Sequence, residues 1–62
     1  MGEKIRDIRE GQKVSQDELA ERSGISRQTI SAIESGRATN VTTGTLEAIA
    51  KALGVSVSVF FC

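Results

Sequence analysis

Histidine, proline, tryptophan and tyrosine are absent from this 62-residue chain, and cysteine occurs once. Without histidine there can be no histidine-based catalytic triad and no His/Cys zinc cluster. The lone cysteine, Cys62, cannot close an internal disulfide, so the expected setting is the reducing cytoplasm. Cys62 reads as a free thiol near the surface or at a subunit contact, with an intermolecular bridge as the alternative. No glycine-rich phosphate loop occurs. Asp17 and Glu18 are adjacent carboxylates, but sequence neighbours point to different sides of a helix. They read as first-turn acids favouring a helix N-terminus, not as an acid–base pair. Enzymatic activity is therefore not expected, and neither a cofactor nor a metal is implied.

No signal peptide or membrane-spanning run is expected, because the apolar tail from Val55 to Cys62 is too short for a bilayer. In a chain read as non-secreted, the glycosylation pattern Asn40-Val41-Thr42 is a coincidence. Aromatic residues are limited to two phenylalanines, so isoleucine, leucine, valine and alanine must fill the core. A chain this short buries only about 60% of its unfolded surface. The expectation is one domain spanning 1–62, with a thin core that self-association as a homodimer would reinforce. Net charge is zero, eight basic residues against eight acidic, where nucleic-acid readers are usually basic. Location matters more than the sum. Asp17, Glu18 and Glu21 fall on one predicted helix, whereas Arg22, Arg27 and Arg37 face only Glu34 in the segment that follows.

What is present is a succession of short helices with marked ends. The first is predicted from about Glu3 to Gly11, with Ile5 and Ile8 on one face at i, i+3 spacing. Gln12 and Lys13 form the turn. Ser15-Gln16-Asp17-Glu18 reads as a capping box, in which Ser15 and Glu18 satisfy each other's exposed backbone donors. Leu19 and Ala20 face inward, Gly24 stops that helix, and Ile25 anchors the turn. Ser26 is the natural N-cap of the next helix, which runs to about Ser35 before Gly36. Thr42 caps a fourth helix, with Val41 and Leu46 placed as a hydrophobic staple, and Leu46, Ile49, Ala50 and Leu53 forming its apolar stripe.

The tail admits two conformations. Alternation of β-branched residues favours a strand with Val55, Val57, Val59 and Phe61 on one face. Such a strand needs a partner, most simply its own copy in a dimer. The other is a short fifth helix capped by Ser56 that buries Val57, Phe60 and Phe61.

The segment from 15 to 35 thus encodes two helices joined by a tight turn, the layout of a helix-turn-helix. With about 100° of rotation per residue, Ile30 and Ile33 set the inward direction of the second helix. Gln28 and Ser35 then point outward, flanked by Ser31 and Ala32, with Arg27 at one edge and Thr29 at the other. Small residues let a helix approach base edges closely. Arg27 and Gln28 have the reach and donors to read guanine and adenine, worth about 1–3 kcal/mol of discrimination for each bidentate pair. Arg37, just past Gly36, and Gln16, at a helix N-terminus, are placed for phosphates.

These residues resemble the phage-repressor-like helix-turn-helix domains, the Cro-type or XRE family. The resemblance rests on Ser15-Gln16-Asp17-Glu18-Leu19-Ala20, Gly24-Ile25-Ser26, Thr29-Ile30-Ser31 and Ile33-Glu34-Ser35-Gly36-Arg37. Ile49-Ala50-Lys51-Ala52-Leu53-Gly54-Val55 adds to it. It implies an all-α, compact four- to five-helix bundle that binds operator DNA as a homodimer. It implies base contacts by Arg27, Gln28 and Ala32, and phosphate contacts by Gln16, Ser35 and Arg37; Ser31 on the same outward face and Ser26 at the helix start are expected to join the base and phosphate contacts respectively. It also implies a structural ion pair between Arg9 of the first helix and Glu34. The implied function is transcriptional repression by a bacterial or phage-encoded, nucleoid-associated protein. The alternatives are a protein-interaction module and an antitoxin component with a toxin partner. The chain departs from the family's pattern in carrying Lys13 where a glycine is frequent, and Ser58 and Val59 where some relatives have acidic residues.

Overall fold

The computed structural model describes residues 2–38 and 41–61. The readings made for Asn40 and Cys62 lie outside them. The elements are α1 (Gly2–Gly11), α2 (Gln16–Ser23), α3 (Arg27–Glu34), α4 (Thr43–Leu53) and a 3₁₀ helix at Val57–Phe61. No strand forms among the described residues.

Local chemistry sets the boundaries. The Ser15, Ser26 and Thr42 side chains accept from the backbone N–H of Glu18, Thr29 and Thr45 at 3.1, 3.2 and 3.2 Å. Each cap satisfies one of the donors left free at a helix start. The capping box at Ser15 is only half made, because the Glu18 carboxylate pairs with Arg22 one turn along. At the far end of α3, Gly36 (φ 82°) closes the helix: its N–H meets the Ile33 carbonyl at 3.2 Å, and Arg37 N–H meets that of Ala32 at 2.9 Å. This paired closure needs a left-handed residue, which glycine supplies without a steric penalty. The turn after α1 obtains the same geometry from Lys13, at φ 58°. The turn falls at the predicted position, and lysine lacks the conformational freedom a glycine would have there.

The core draws on every element. Ile5 of α1, Leu19 of α2, Ile30 of α3 and Ile49 of α4 are fully buried, and Val14, Ile33, Leu46, Ala50, Leu53 and Phe60 complete the cluster. Full burial of each large side chain contributes about 1.5–3 kcal/mol. α2 packs against both α3 and α4, and α1 packs against α3 and the terminal 3₁₀ helix. The α1–α3 contact is close, since a Cβ on Gly2 would collide with the Ile33 carbonyl oxygen. The Gln12 side chain, expected only as part of a turn, donates to the Leu53 carbonyl at 2.7 Å and caps the end of α4.

The tail corrects the favoured strand. Ser56 initiates the 3₁₀ helix, its carbonyl accepting from Val59 N–H at 3.1 Å. Phe60 is buried, Val55, Val57 and Val59 are half-buried against the core, and Phe61 is 66% exposed. Alternation failed as a guide because one chain offers this segment no sheet edge, whereas burial of Phe60 between α1 and α4 needs none. The helical alternative is also corrected in one respect, as Phe61 does not enter the core.

Candidate nucleic-acid interface

α3 turns its isoleucines inward and its polar side outward. Arg27 and Gln28 are exposed, Ser31 and Ala32 are half-buried at the flank, and Ser35 is exposed at the far end. Gln16, Arg27, Gln28, Ser31, Ala32 and Arg37 line one open groove. Residues from α2, α3 and the segment after α3 are therefore gathered on a single face. Ser35 lies on the neighbouring concavity with Gly2, Glu3, Arg6, Glu34 and Gly36. Ser26 lines neither, and its hydroxyl bonds to Thr29 Oγ1 at 2.8 Å besides capping the helix.

Behind the groove sits a buried ion pair. Arg9 Nε donates to Glu34 Oε2 at 2.8 Å and Arg9 Nη2 donates to Oε1 at 3.0 Å, a two-pronged contact between residues 9% and 6% exposed. Arg9 Nη1 also donates to the Val14 carbonyl at 2.8 Å. The pair thus ties α1 to α3 and to the loop before α2, and no buried side-chain polar atom among the described residues lacks a partner. The Glu34 hydrogen bond raises the Arg9 pKa above the ordinary arginine value, against the opposing effect of burial.

The groove-facing side chains are held as well. Gln16 Nε2 donates to Glu34 Oε1 at 3.2 Å, which links the floor of the groove to the buried pair. Arg27 Nε lies 3.3 Å from Asp17 Oδ1, both side chains well exposed at 65% and 76%. Arg37 Nε donates to Ser35 Oγ at 3.0 Å, and Ser35 Oγ donates to the Ala32 carbonyl at 3.2 Å. Asp17, expected only as a helix-start acid, also stands beside Arg27, a position its local sequence does not announce. The signal was available, since a helix-turn-helix brings the first turns of its two helices together and these carry opposite charges.

This arrangement can dock a rod into a channel. An eight-residue helix is about 12 Å long and, with side chains, about 10–12 Å across. The major groove of a DNA duplex is about 12 Å wide. Arg27 and Gln28 stand exposed at the leading end of α3, and Arg37 lies just past its far end on the same groove. Among the described residues no cluster of potential metal ligands occurs, and no helix is long and apolar enough to cross a membrane.

Comparison with known proteins agrees with this geometry. A family model described as helix-turn-helix matches residues 5–60. The immunity repressor protein of Bacillus phage phi105 is 43% identical over 58 residues, covering 94% of this chain. The chain spans 40% of that relative's length. The crystal structure of SinR, the master regulator for biofilm formation, in complex with DNA superposes with a TM-score of 0.90 at 33% identity, covering 97% of this chain and 98% of that one. Fold, sequence and the outward face of α3 converge, and the chain belongs to the XRE-type helix-turn-helix family.

Proposed function

We propose that this chain is the DNA-binding part of a transcriptional repressor that reads a near-palindromic operator as a homodimer. Each α3 enters a major groove, Arg27 and Gln28 read base edges, and Ser31 and Ala32 allow the helix to sit close. Gln16, Ser26, Ser35 and Arg37 contact the sugar–phosphate backbone and fix the register. The observation that carries the reading is the convergence of Gln16, Arg27, Gln28, Ser31, Ala32 and Arg37 on one face. Likeness to a phage repressor and to a regulator solved on DNA supports it.

Dimensions support the pairing of subunits. Half-sites on one face of a duplex are about 34 Å apart. The Cα envelope measures 24 × 23 × 18 Å. Two copies at that spacing with their long axes in line leave about 10 Å between Cα envelopes, a gap that side chains reaching from both copies can bridge. The test is fluorescence polarisation on a randomised duplex library and on fragments of the source genome, at several salt concentrations. Selective binding that Arg27→Ala combined with Gln28→Ala abolishes, with the fold intact, is the expected result. Absence of duplex binding even at low salt refutes the proposal and favours a protein-interaction module.

A further inference from the structure

The groove-facing arginine is not a free cation. Arg27 Nε faces Asp17 Oδ1 at 3.3 Å in an exposed ion pair, the carboxylate coming from the first turn of the preceding helix. An arginine whose Nε side faces a carboxylate keeps its terminal Nη1/Nη2 edge available, and that end-on edge is the one that matches guanine O6 and N7 bidentately. The carboxylate also places a negative charge on the surface that meets DNA, where it opposes phosphate oxygens. A neighbouring contact repeats the design, since Gln16 is held from behind by Glu34 at 3.2 Å.

We infer that Asp17 is a specificity-determining positioning residue, which aims Arg27 at a base edge and disfavours its use as a phosphate contact. The inference rests on the DNA-binding reading of α3. Asp17 touches no base. It narrows the orientations of a long, flexible side chain before docking, so less conformational entropy is lost when the base pair is read. In a complex with non-cognate DNA, Arg27 has no guanine edge to meet, and the repulsion between Asp17 and the phosphates remains. The positioning widens the gap between cognate and non-cognate binding, the repulsion weakens both alike, and neither requires a net positive domain.

The experiment compares wild type with Asp17→Asn, using sequences selected by wild type from a randomised duplex library and a scrambled duplex of the same length. Glu47→Gln on α4, an exposed position outside the groove lining, controls for net charge. Asp17→Asn is expected to tighten binding to the scrambled duplex, to lower the cognate-to-scrambled ratio by about three- to fivefold, and to steepen the log–log salt dependence by up to about one phosphate equivalent. Selection with Asp17→Asn is expected to give a weaker base preference at the Arg27 position and unchanged preferences elsewhere. In an Arg27→Ala background the change in ratio should vanish. An unchanged ratio, an equal change in Glu47→Gln, or an effect that persists without Arg27 overturns the inference while the DNA-binding reading stands. Failure of wild type to select any duplex overturns both.

Discussion

Truncating Arg9 offers a demanding test of how the interface is supported. Glu34 is 6% exposed in the intact protein; Arg9→Ala leaves its carboxylate with Gln16 as the remaining side-chain donor and strips the Val14 carbonyl of its Nη1 partner. Removing one member of a buried ion pair costs about 3–5 kcal/mol, because the other charge stays desolvated. Native domains hold about 0.05–0.15 kcal/mol per residue, or about 3–9 kcal/mol for a chain of 62. One truncation therefore consumes a third or more of the available stability. Melting followed by circular dichroism should fall by at least about 12 °C, since 1 kcal/mol shifts a domain of this size by about 4–8 °C. Removal of both charges, in Arg9→Met with Glu34→Leu, should restore a substantial part of that loss. The double variant should still bind DNA more weakly, because Gln16 has lost its anchor. A single variant within about 1 kcal/mol of wild type, or a double variant no more stable than the single, would refute the argument.

Other outcomes follow from the same packing. Phe60→Ala should cost about 3–5 kcal/mol, whereas Phe61→Ser in dilute solution should stay within about 0.5 kcal/mol; urea titration of both variants separates the 3₁₀ tail from a strand that buries Phe61. Lys13→Gly should stabilise by up to about 1 kcal/mol, because a lysine at φ 58° bears the steric penalty of a left-handed residue; an unchanged or lower melting temperature counts against that penalty. Gly2→Ala and Gly11→Ala should move melting in opposite directions. The first drives a methyl group into the Ile33 carbonyl, and the second adds helix propensity in open space. Stability should be flat between about pH 6 and 8, since no histidine is present to titrate there. The Arg9 contribution is fully present below its unfolded pKa and is lost only as pH rises through its higher folded one, well into the alkaline range. A melting transition that moves by several degrees across neutral pH would contradict this.

Much of the fold was legible because its signals are local. Ser15, Ser26 and Thr42 cap where a short polar residue precedes an apolar period, and Gly36 closes α3 where a left-handed residue is required. The apolar stripe of α4 and the outward side of α3 follow from rotation per residue alone. What sequence left open depends on contacts distant along the chain. The tail's pattern fits a strand or a short helix, and only the space between α1 and α4 decides that Phe60 is buried and Phe61 is not. Gln12 reaches Leu53 across 41 positions, which no local pattern encodes. The Arg9–Glu34 pair spans 25 positions and was anticipated from family resemblance, not from spacing. Glu18 shows the limit of motif reading: the motif offers a reciprocal cap, and a nearby arginine competes for the same carboxylate.

The net charge of zero, which at first argues against a nucleic-acid reader, takes on a different meaning once the charges are placed. Arg22 and Arg27 are each paired with a carboxylate of α2, and Arg9 is neutralised by Glu34 in the interior. Of the arginines from 22 to 37, Arg37 is the one anchored to a neutral hydroxyl, and it lies at the edge of the groove. A face built this way attracts duplex DNA weakly from a distance, because long-range affinity follows the number of uncompensated cations. Under the proposed function its binding must come from short-range fit, with oriented donors at base edges and a second subunit that doubles the contact. Such a repressor trades affinity for random DNA against discrimination. Its binding to unrelated duplex should therefore be weak at physiological salt while binding to a matched, two-fold site survives. Measured salt slopes on cognate and scrambled duplexes decide the point: strong scrambled-duplex binding with a steep slope would show that the paired arginines are released on docking and that neutrality does not restrain them.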